Sequence, residues 1–207
     1  MPVLAALQFD EAAHTYTLDG EVLPSVTGIL QAVGIVNFSH IPPSTRRWAL
    51  ERGRMVHLYT QYDDQAQLDD SVVDPHIAPY LAAWRRFRAE TGFEADLIEH
   101  RGYHEQHRYA GTLDRRGTLP KLGRVMLDIK TNQAEEWVRL QLAAYSAFFP
   151  DPATYTRVCV ELKGDETYRL MAFPGKEYRR DFQDFIGALS TMRWLRTMKR
   201  IDERTAA

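Results

Sequence analysis

The sequence predicts an α+β fold, a central, mostly antiparallel or mixed β-sheet flanked by helices. Three observations predict it. Residues up to 92 carry mainly helical periodicity after one short hairpin. Residues 94 to 131 change to strand-like runs joined by short turns. A helix, a second hairpin and a last helix then follow. At 207 residues and 44% hydrophobic content the chain is long enough to bury one proper core. A single domain over 1–207 is therefore expected, with the hairpin and first helices in 1–92 and the main sheet with its helices in 93–200.

In "HTYTLDGEVLPSVT", His14, Tyr16 and Leu18 alternate with threonines, and Asp19-Gly20 is a two-residue turn signal, so the stretch reads as a hairpin. Pro24-Ser25 opens a short helix over about 25–33 that ends at Gly34. "PPSTRRWALERGRMVHLYTQY" predicts a helix capped by Ser44 or Thr45, with Trp48, Leu50, Met55, Leu58 and Tyr59 as apolar positions. An aspartate-rich loop over 63–74 follows. Ile77, Tyr80, Leu81, Trp84 and Phe87 recur at i, i+3, i+4 spacing in a helix over about 75–90, closed by Gly92. "EADLIEHRGYHEQHRYAGTLDRRGTLPKLGRVMLDIKT" predicts three or four strands in an antiparallel meander. "AEEWVRLQLAAYSAFF" predicts a helix stopped by Pro150. "TYTRVCVELKGDETYRLMAF" predicts a hairpin turning at Gly164-Asp165, and the last helix spans about 175–200.

Composition excludes several function classes. No apolar run approaches the ~18 residues of a membrane span, and the N-terminus lacks the positive region of a signal peptide. The single Cys159 excludes an internal disulfide and a cysteine-based zinc or iron–sulfur site within one chain. A cytoplasmic protein is expected. The net charge of −2 makes the whole molecule no magnet for nucleic acid, yet arginines cluster at 46, 47, 52 and 54, at 85, 86 and 88, at 179 and 180, and at 193, 196 and 200. Each cluster reads as a solvated helix face or as a basic patch.

The chemistry gathers in the meander. Asp128 and Lys130 in "LDIKT" share one strand face, while Leu127 and Ile129 point into the opposite layer. Asp114 sits on the preceding strand and Glu99 on the one before that. Antiparallel neighbours bring the three carboxylates onto one patch, where they stay ionised only beside a cation. Oxygen ligands favour Mg²⁺ or Mn²⁺, and a metal held by acids with a lysine alongside is equipment for phosphodiester hydrolysis. Against this stands a plain surface ion pair between Asp128 and Lys130. Gln141 and Tyr145 are one helical turn apart on a stripe continued by Trp137 and Phe148, and the glutamine needs partners there. Gly53 and His57 are also one turn apart.

The ordered motifs "GRMVH" (53–57), "IEHRGYHEQHRYAGTLD" (98–114), "MLDIKT" (126–131) and "QLAAY" (141–145) resemble those of the PD-(D/E)XK nuclease superfamily. They are most similar to the branch holding RecB-type nuclease domains, bacteriophage lambda exonuclease and the nuclease of CRISPR spacer acquisition. The opening "LPSVTGIL" resembles the start of small phage and prophage members. The resemblance implies a restriction-endonuclease-like core and a DNA nuclease of little sequence preference that leaves a 5′-phosphate, with exonuclease action on DNA ends favoured. It implies Asp114, Asp128 and the Ile129 carbonyl as ligands of one or two Mg²⁺ or Mn²⁺ ions, with Glu99 and His57 completing the set. Lys130 would position or activate the attacking water. Gln141 and Tyr145 would contact DNA or brace the site, and Arg54, Arg115 and Thr131 beside the motifs are expected to contact DNA. Glu105 rivals Glu99 as the remaining acid. The four cysteines that bind an iron–sulfur cluster in some relatives are missing here, so no such cluster is expected.

The expected partner is single- or double-stranded DNA, with a homo-oligomer or a recombination or single-strand annealing protein as further candidates and no membrane. The competing readings are a non-cleaving DNA-binding module of the same fold and a structure-specific endonuclease. His100, His104 and His107 lie close together, but on strand and turn their spacing does not match a helical zinc motif. Tyr103 and Tyr109 read as base-stacking residues or as ordinary strand residues, and the tail "MRWLRTMKRIDERTAA" as a solvated helix end or a phosphate contact.

Overall fold

The computed structural model describes residues 7–39 and 41–198. The first six residues, and the tail from 199 including Arg200, lie outside the described residues. The fold is α+β, as expected. A five-stranded sheet runs in the order β4(Glu94–His104), β5(Tyr109–Leu119), β6(Gly123–Lys130), β7(Thr156–Leu162), β8(Tyr168–Phe173). Only the β6–β7 pair is parallel. A parallel pair needs a crossover, and a helix over Val138–Ser146 supplies it. The meander thus has three strands, and Glu99 lies within the first.

Helices cover both faces. On one side Met126, Tyr109 and Cys159 of the sheet pack with three helices: α1(Val26–Ala32), α4(Val138–Ser146) and α5(Tyr178–Thr197). On the other, Leu127, Ile129, Val158 and Val160 pack with α2(Pro43–Asp64) and α3(Ala78–Thr91). The alternation Met126, Leu127, Asp128, Ile129 therefore reads as opposite layers, as strand geometry requires. Beside this body lies a small antiparallel sheet, β1(Gln8–Asp10), β2(Thr15–Leu18), β3(Glu21–Leu23). Its turn is left-handed at Asp19 and Gly20, as the sequence predicts. The strand at Gln8–Asp10 is an addition to the expected hairpin. Tyr16, Leu18 and Leu23 bury it against Ala110, and the Ala110 N–H donates to the Pro24 carbonyl at 3.0 Å.

Several boundaries differ for identifiable reasons. Neither Ser44 nor Thr45 caps α2; Pro42 precedes it without a side-chain cap and Pro43 takes the first helical position, where its missing N–H has no intrahelical partner to lose. Trp48, Leu50 and Leu58 do not face the core but are 51%, 63% and 37% exposed, and α2 buries Val56 and Thr60 instead. The helix also runs to Asp64 rather than yielding to a loop at 63. Asp63 is held by Arg85 at 2.6 Å and Asp64 by Arg115 at 2.6 Å, so the two acids are anchored at the helix end. The helix α4 starts at Val138, and ahead of it the Ala134 N–H donates to Glu161 Oε2 on β7 at 3.0 Å. The last helix begins at Tyr178, after a 3₁₀ turn over Gly175–Glu177.

One buried ion pair ties α5 to the sheet. Arg157 on β7 is fully buried and reaches Asp181 at 2.6 Å, with the Arg139 and Pro174 carbonyls as further acceptors. Asp181→Ala leaves that guanidinium uncompensated, and removing one partner of a buried pair costs about 3 kcal/mol. We expect a correspondingly lower urea midpoint; a midpoint equal to that of the unmodified protein would show that the pair does not anchor α5.

Candidate metal centre

The site forms where the sheet opens. Backbone pairing between β5 and β6 runs from Leu119↔Gly123 to Arg115↔Leu127 and stops there. Beyond that point β6 stays with β7 as far as Lys130↔Glu161. Strand β5 stays with β4 as far as His104↔Tyr109. The split exposes the Ile129 N–H, and Asp114 Oδ2 accepts it at 2.6 Å. A side-chain carboxylate thus takes the place of the missing ladder partner, which keeps the buried amide satisfied.

Glu99 reaches the same point from β4. The flanking pairs Ile98↔Arg115 and His100↔Leu113 set it opposite Asp114. Its backbone is left-handed, with φ 48°, an unusual state for a non-glycine residue within a strand and one that clusters at functional sites. From α2, His57 Nδ1 comes within 3.5 Å of Glu99 Oε1 and 3.6 Å of Asp114 Oδ1. The helix closes on the strand end here, since a Cβ at Gly53 would stand 3.7 Å from Thr131 Oγ1. Among the described residues, one group of three or more metal-ligating side chains converges, and it is His57, Glu99 and Asp114, with ligand atoms within 4.8 Å of one another.

Asp128 and Lys130 stand on the other side of the split. Lys130 Nζ lies 2.7 Å from Asp128 Oδ2 and 3.0 Å from Asp128 Oδ1. It donates a further hydrogen bond to Gln141 Oε1 at 3.1 Å and stands 5.4 Å from the Trp137 ring. Gln141 Nε2 donates to the Tyr145 hydroxyl at 3.1 Å and to Thr27 Oγ1 at 3.4 Å. The stripe Trp137, Gln141, Tyr145 therefore faces Lys130. Gly111 makes room for it: a Cβ there would come within 2.6 Å of the Tyr145 ring.

The sequence-selected residues fall into distinct groups. His57, Glu99 and Asp114 meet; Asp128, Lys130, Gln141 and Tyr145 form a chain beside them. Ile129 contributes its N–H to Asp114, and its side chain is buried in the opposite layer. Thr131 lies at the strand end, where its carbonyl accepts from Arg52 at 3.1 Å. Arg54 is exposed and paired with Glu11 at 2.9 Å. Arg115 is a correction. It is fully buried, bound to Asp64, Glu99 at 2.9 Å, Thr60 at 3.1 Å and the Asp114 carbonyl, so it has no surface with which to contact DNA. Strand alternation contains the signal that assigns it: a neighbour of Asp114 must point into the opposite, apolar layer, where its cross-strand partner is Leu127. Asp64, Thr60 and Thr27, which brace the site, carry no comparable signal. Glu105 sits exposed in the β4–β5 turn, outside the cluster. Of the three neighbouring histidines, His104 and His107 pack with tilted rings at 4.7 Å and His100 packs on Phe149, so the trio does not converge.

Electrostatics follow from crowding of acids in a buried place. Burial pushes Asp114 up, and Asp128 and Glu99 add to it against the pull of His57 and Lys130, to about 7. Burial draws His57 down, but Asp114 and Glu99 more than offset it and raise it to about 9. Glu99 would also rise by burial, yet His57 and Arg115 hold it below its usual value. Lys130 is raised despite burial because Asp128 and Asp114 flank it; it is an ammonium at neutral pH. Asp128 Oδ2 is buried and accepts no hydrogen bond of good geometry. Three carboxylates and one imidazole fit a hard divalent cation, which would take the place of the proton on His57.

No family model matches the chain, and no curated protein matches it. Among solved structures it is similar to an alkaline exonuclease (LHK-Exo) from Laribacter hongkongensis, with a TM-score of 0.32 and 13% identity, covering 84% of this chain and 92% of that one. A structure of LHK-Exo in complex with dAMP gives a TM-score of 0.32 and 13% identity over 86% and 93% of the two chains.

A folded-state value of about 9 for His57 means that the metal-free protein keeps a proton that the unfolded chain loses near 6.5. Its contribution to stability is complete below pH 6.5 and is lost as pH rises to about 9. The melting temperature of the metal-free protein should therefore fall across that window, and His57→Gln should flatten the fall. Equal slopes for both proteins would disprove the His57–Asp114–Glu99 coupling.

Proposed function

We propose that this protein is a metal-dependent DNA nuclease of the restriction-endonuclease-like kind, one domain that hydrolyses phosphodiester bonds with little sequence preference, and that it acts as an exonuclease on DNA ends. The observation that carries the reading is the convergence of His57, Glu99 and Asp114 at the split of the sheet, with Asp128 and an ammonium Lys130 beside them. The ordered motifs that resemble PD-(D/E)XK nucleases support it.

In this reading His57, Glu99, Asp114, Asp128 and the Ile129 carbonyl hold one or two Mg²⁺ or Mn²⁺ ions. A divalent cation in such a place supplies Lewis-acid stabilisation of phosphoryl oxygens and a more acidic water. The chain's own groups do the rest. Lys130 is protonated, so it orients water through a hydrogen bond and stabilises charge developing on the phosphate, rather than removing a proton. Gln141 and Trp137 hold its ammonium in place, and Tyr145 and Thr27 fix the Gln141 amide. Arg115 holds Glu99 toward the centre from inside the core. Arg54 and Thr131 lie on the accessible side and are assigned to the DNA backbone. The products are a 5′-phosphate and a 3′-hydroxyl. A cytoplasmic role in recombination, repair or phage DNA metabolism fits this activity.

The test is cleavage of end-labelled linear and closed circular DNA with Mg²⁺, Mn²⁺ or EDTA. We expect metal-dependent loss of the linear substrate alone. Asp128→Ala and Lys130→Ala should each lower the rate by roughly 10²- to 10³-fold, the scale of lost electrostatic stabilisation, at a temperature where circular dichroism shows each variant folded. Cutting of circles would make it an endonuclease. Absence of cutting in every metal would leave a non-cleaving DNA-binding module.

A further inference from the structure

Outside the metal centre, the strongest unassigned feature is a concavity of about 410 Å³ at the start of α2. Phe38, Ile41, Leu50, Arg46 and Arg47 are among the residues that line it. Both arginines are exposed. Among the described residues no carboxylate pairs with Arg46 or Arg47. Arg46 stands 5.9 Å from the Phe38 ring. Two uncompensated guanidinium groups beside apolar and aromatic side chains are complementary to a ligand with phosphate on one side and a flat apolar face on the other.

Helix geometry ties this concavity to the metal centre. Leu50 lies seven residues and Arg46 eleven residues before His57, so both fall within about 20° of it around the α2 axis. One face of α2 thus runs from the metal centre past exposed Leu50 to Arg46, a span of about 16 Å at 1.5 Å per residue, with Arg47 about 80° round the axis at the same end. A short run of extended, unpaired nucleotides covers it.

We propose that this concavity is a subsite for single-stranded nucleic acid, with Phe38 stacking an unpaired base and Arg46 and Arg47 holding its phosphates while the same strand reaches the metal centre along α2. The inference rests on the nuclease reading for the other end of the path. It names an unpaired strand because bases in a duplex already stack on each other and have no free face for Phe38.

Binding of fluorescent oligothymidylates in EDTA, where no cleavage intervenes, tests it. The unmodified protein should bind an octamer at least tenfold more tightly than a dinucleotide. Arg46→Ala/Arg47→Ala should abolish that gain, leave dinucleotide binding unchanged and lower the salt slope by about 1.4, the value for two phosphates of a single strand. Phe38→Ala should weaken the octamer and not a blunt duplex. Both arginines are exposed, so the double variant should melt like the unmodified protein. Unchanged octamer affinity and salt slope in the double variant would overturn the proposal. So would a shift of the double variant from multimer to monomer in gel filtration, which would make this face a contact between copies. Hydrolysis of bis(4-nitrophenyl) phosphate with Mn²⁺ separates the two readings, since that substrate is too short to reach the concavity. Its equal hydrolysis by both proteins supports the subsite, and a slower rate in the double variant counts against it. Should even the unmodified protein fail to hydrolyse it, the nuclease reading falls, while the binding experiments still judge the subsite.

Discussion

The hydrogen bond from the Ile129 N–H to Asp114 Oδ2 is the contact on which the rest of the site depends. Where β5 and β6 part, a buried amide would otherwise lack a partner, and such a group is costly to leave. A carboxylate on β5 supplies the acceptor and holds the split open. The same bond buries Asp114 next to Asp128, with Glu99 brought opposite by the β4–β5 register. The structural solution to an unpaired strand therefore creates a concentration of negative charge, in a group of side chains that could hold a metal ion.

Each of these acids is balanced from a different layer. Arg115 counters Glu99 from beneath the sheet, where Asp64, Thr60 and the Trp84 ring keep it in place. Lys130 counters Asp128 from the same strand, two residues on. His57 enters from α2 between Glu99 and Asp114. Asp128 keeps one buried oxygen without a well-formed hydrogen bond, and the backbone at Glu99 stays left-handed. Both are unfavourable by themselves. They persist because the surrounding sheet and core over-determine the geometry, which is how functional strain is usually sustained.

Much of this was legible along the chain. The D-x-K alternation placed Asp128 and Lys130 on one face, and the G-x-x-x-H and Q-x-x-x-Y spacings placed His57 and the Gln141–Tyr145 pair on single helix faces. Local periodicity controls these relations, so they survive without knowledge of the fold. The errors came from non-local partners. Arg115 reads as a surface cation until Asp64, 51 residues away, is seen to bury with it. The Ala134 N–H ahead of α4 finds its acceptor in Glu161, 27 residues away on another strand. The outward-facing Trp48 and Leu50 of α2 contradict the usual burial of an apolar stripe, and nothing in the local pattern announces it.

The order of elements, the α+β class and the candidate acids, lysine, histidine and glutamine follow from patterns of two, three and four residues, which are properties of the backbone's own repeat. The opening of the sheet at Asp114, the convergence of β4, β5 and α2 on one point and the burial of Arg115 do not. They arise from which strands pair, and over what length, and pairing is settled by packing among residues tens of positions apart. Chemical identity was written in the residue types; their assembly into one centre awaited the three-dimensional arrangement, because a carboxylate acquires its charge state and its partners only from its neighbours in space.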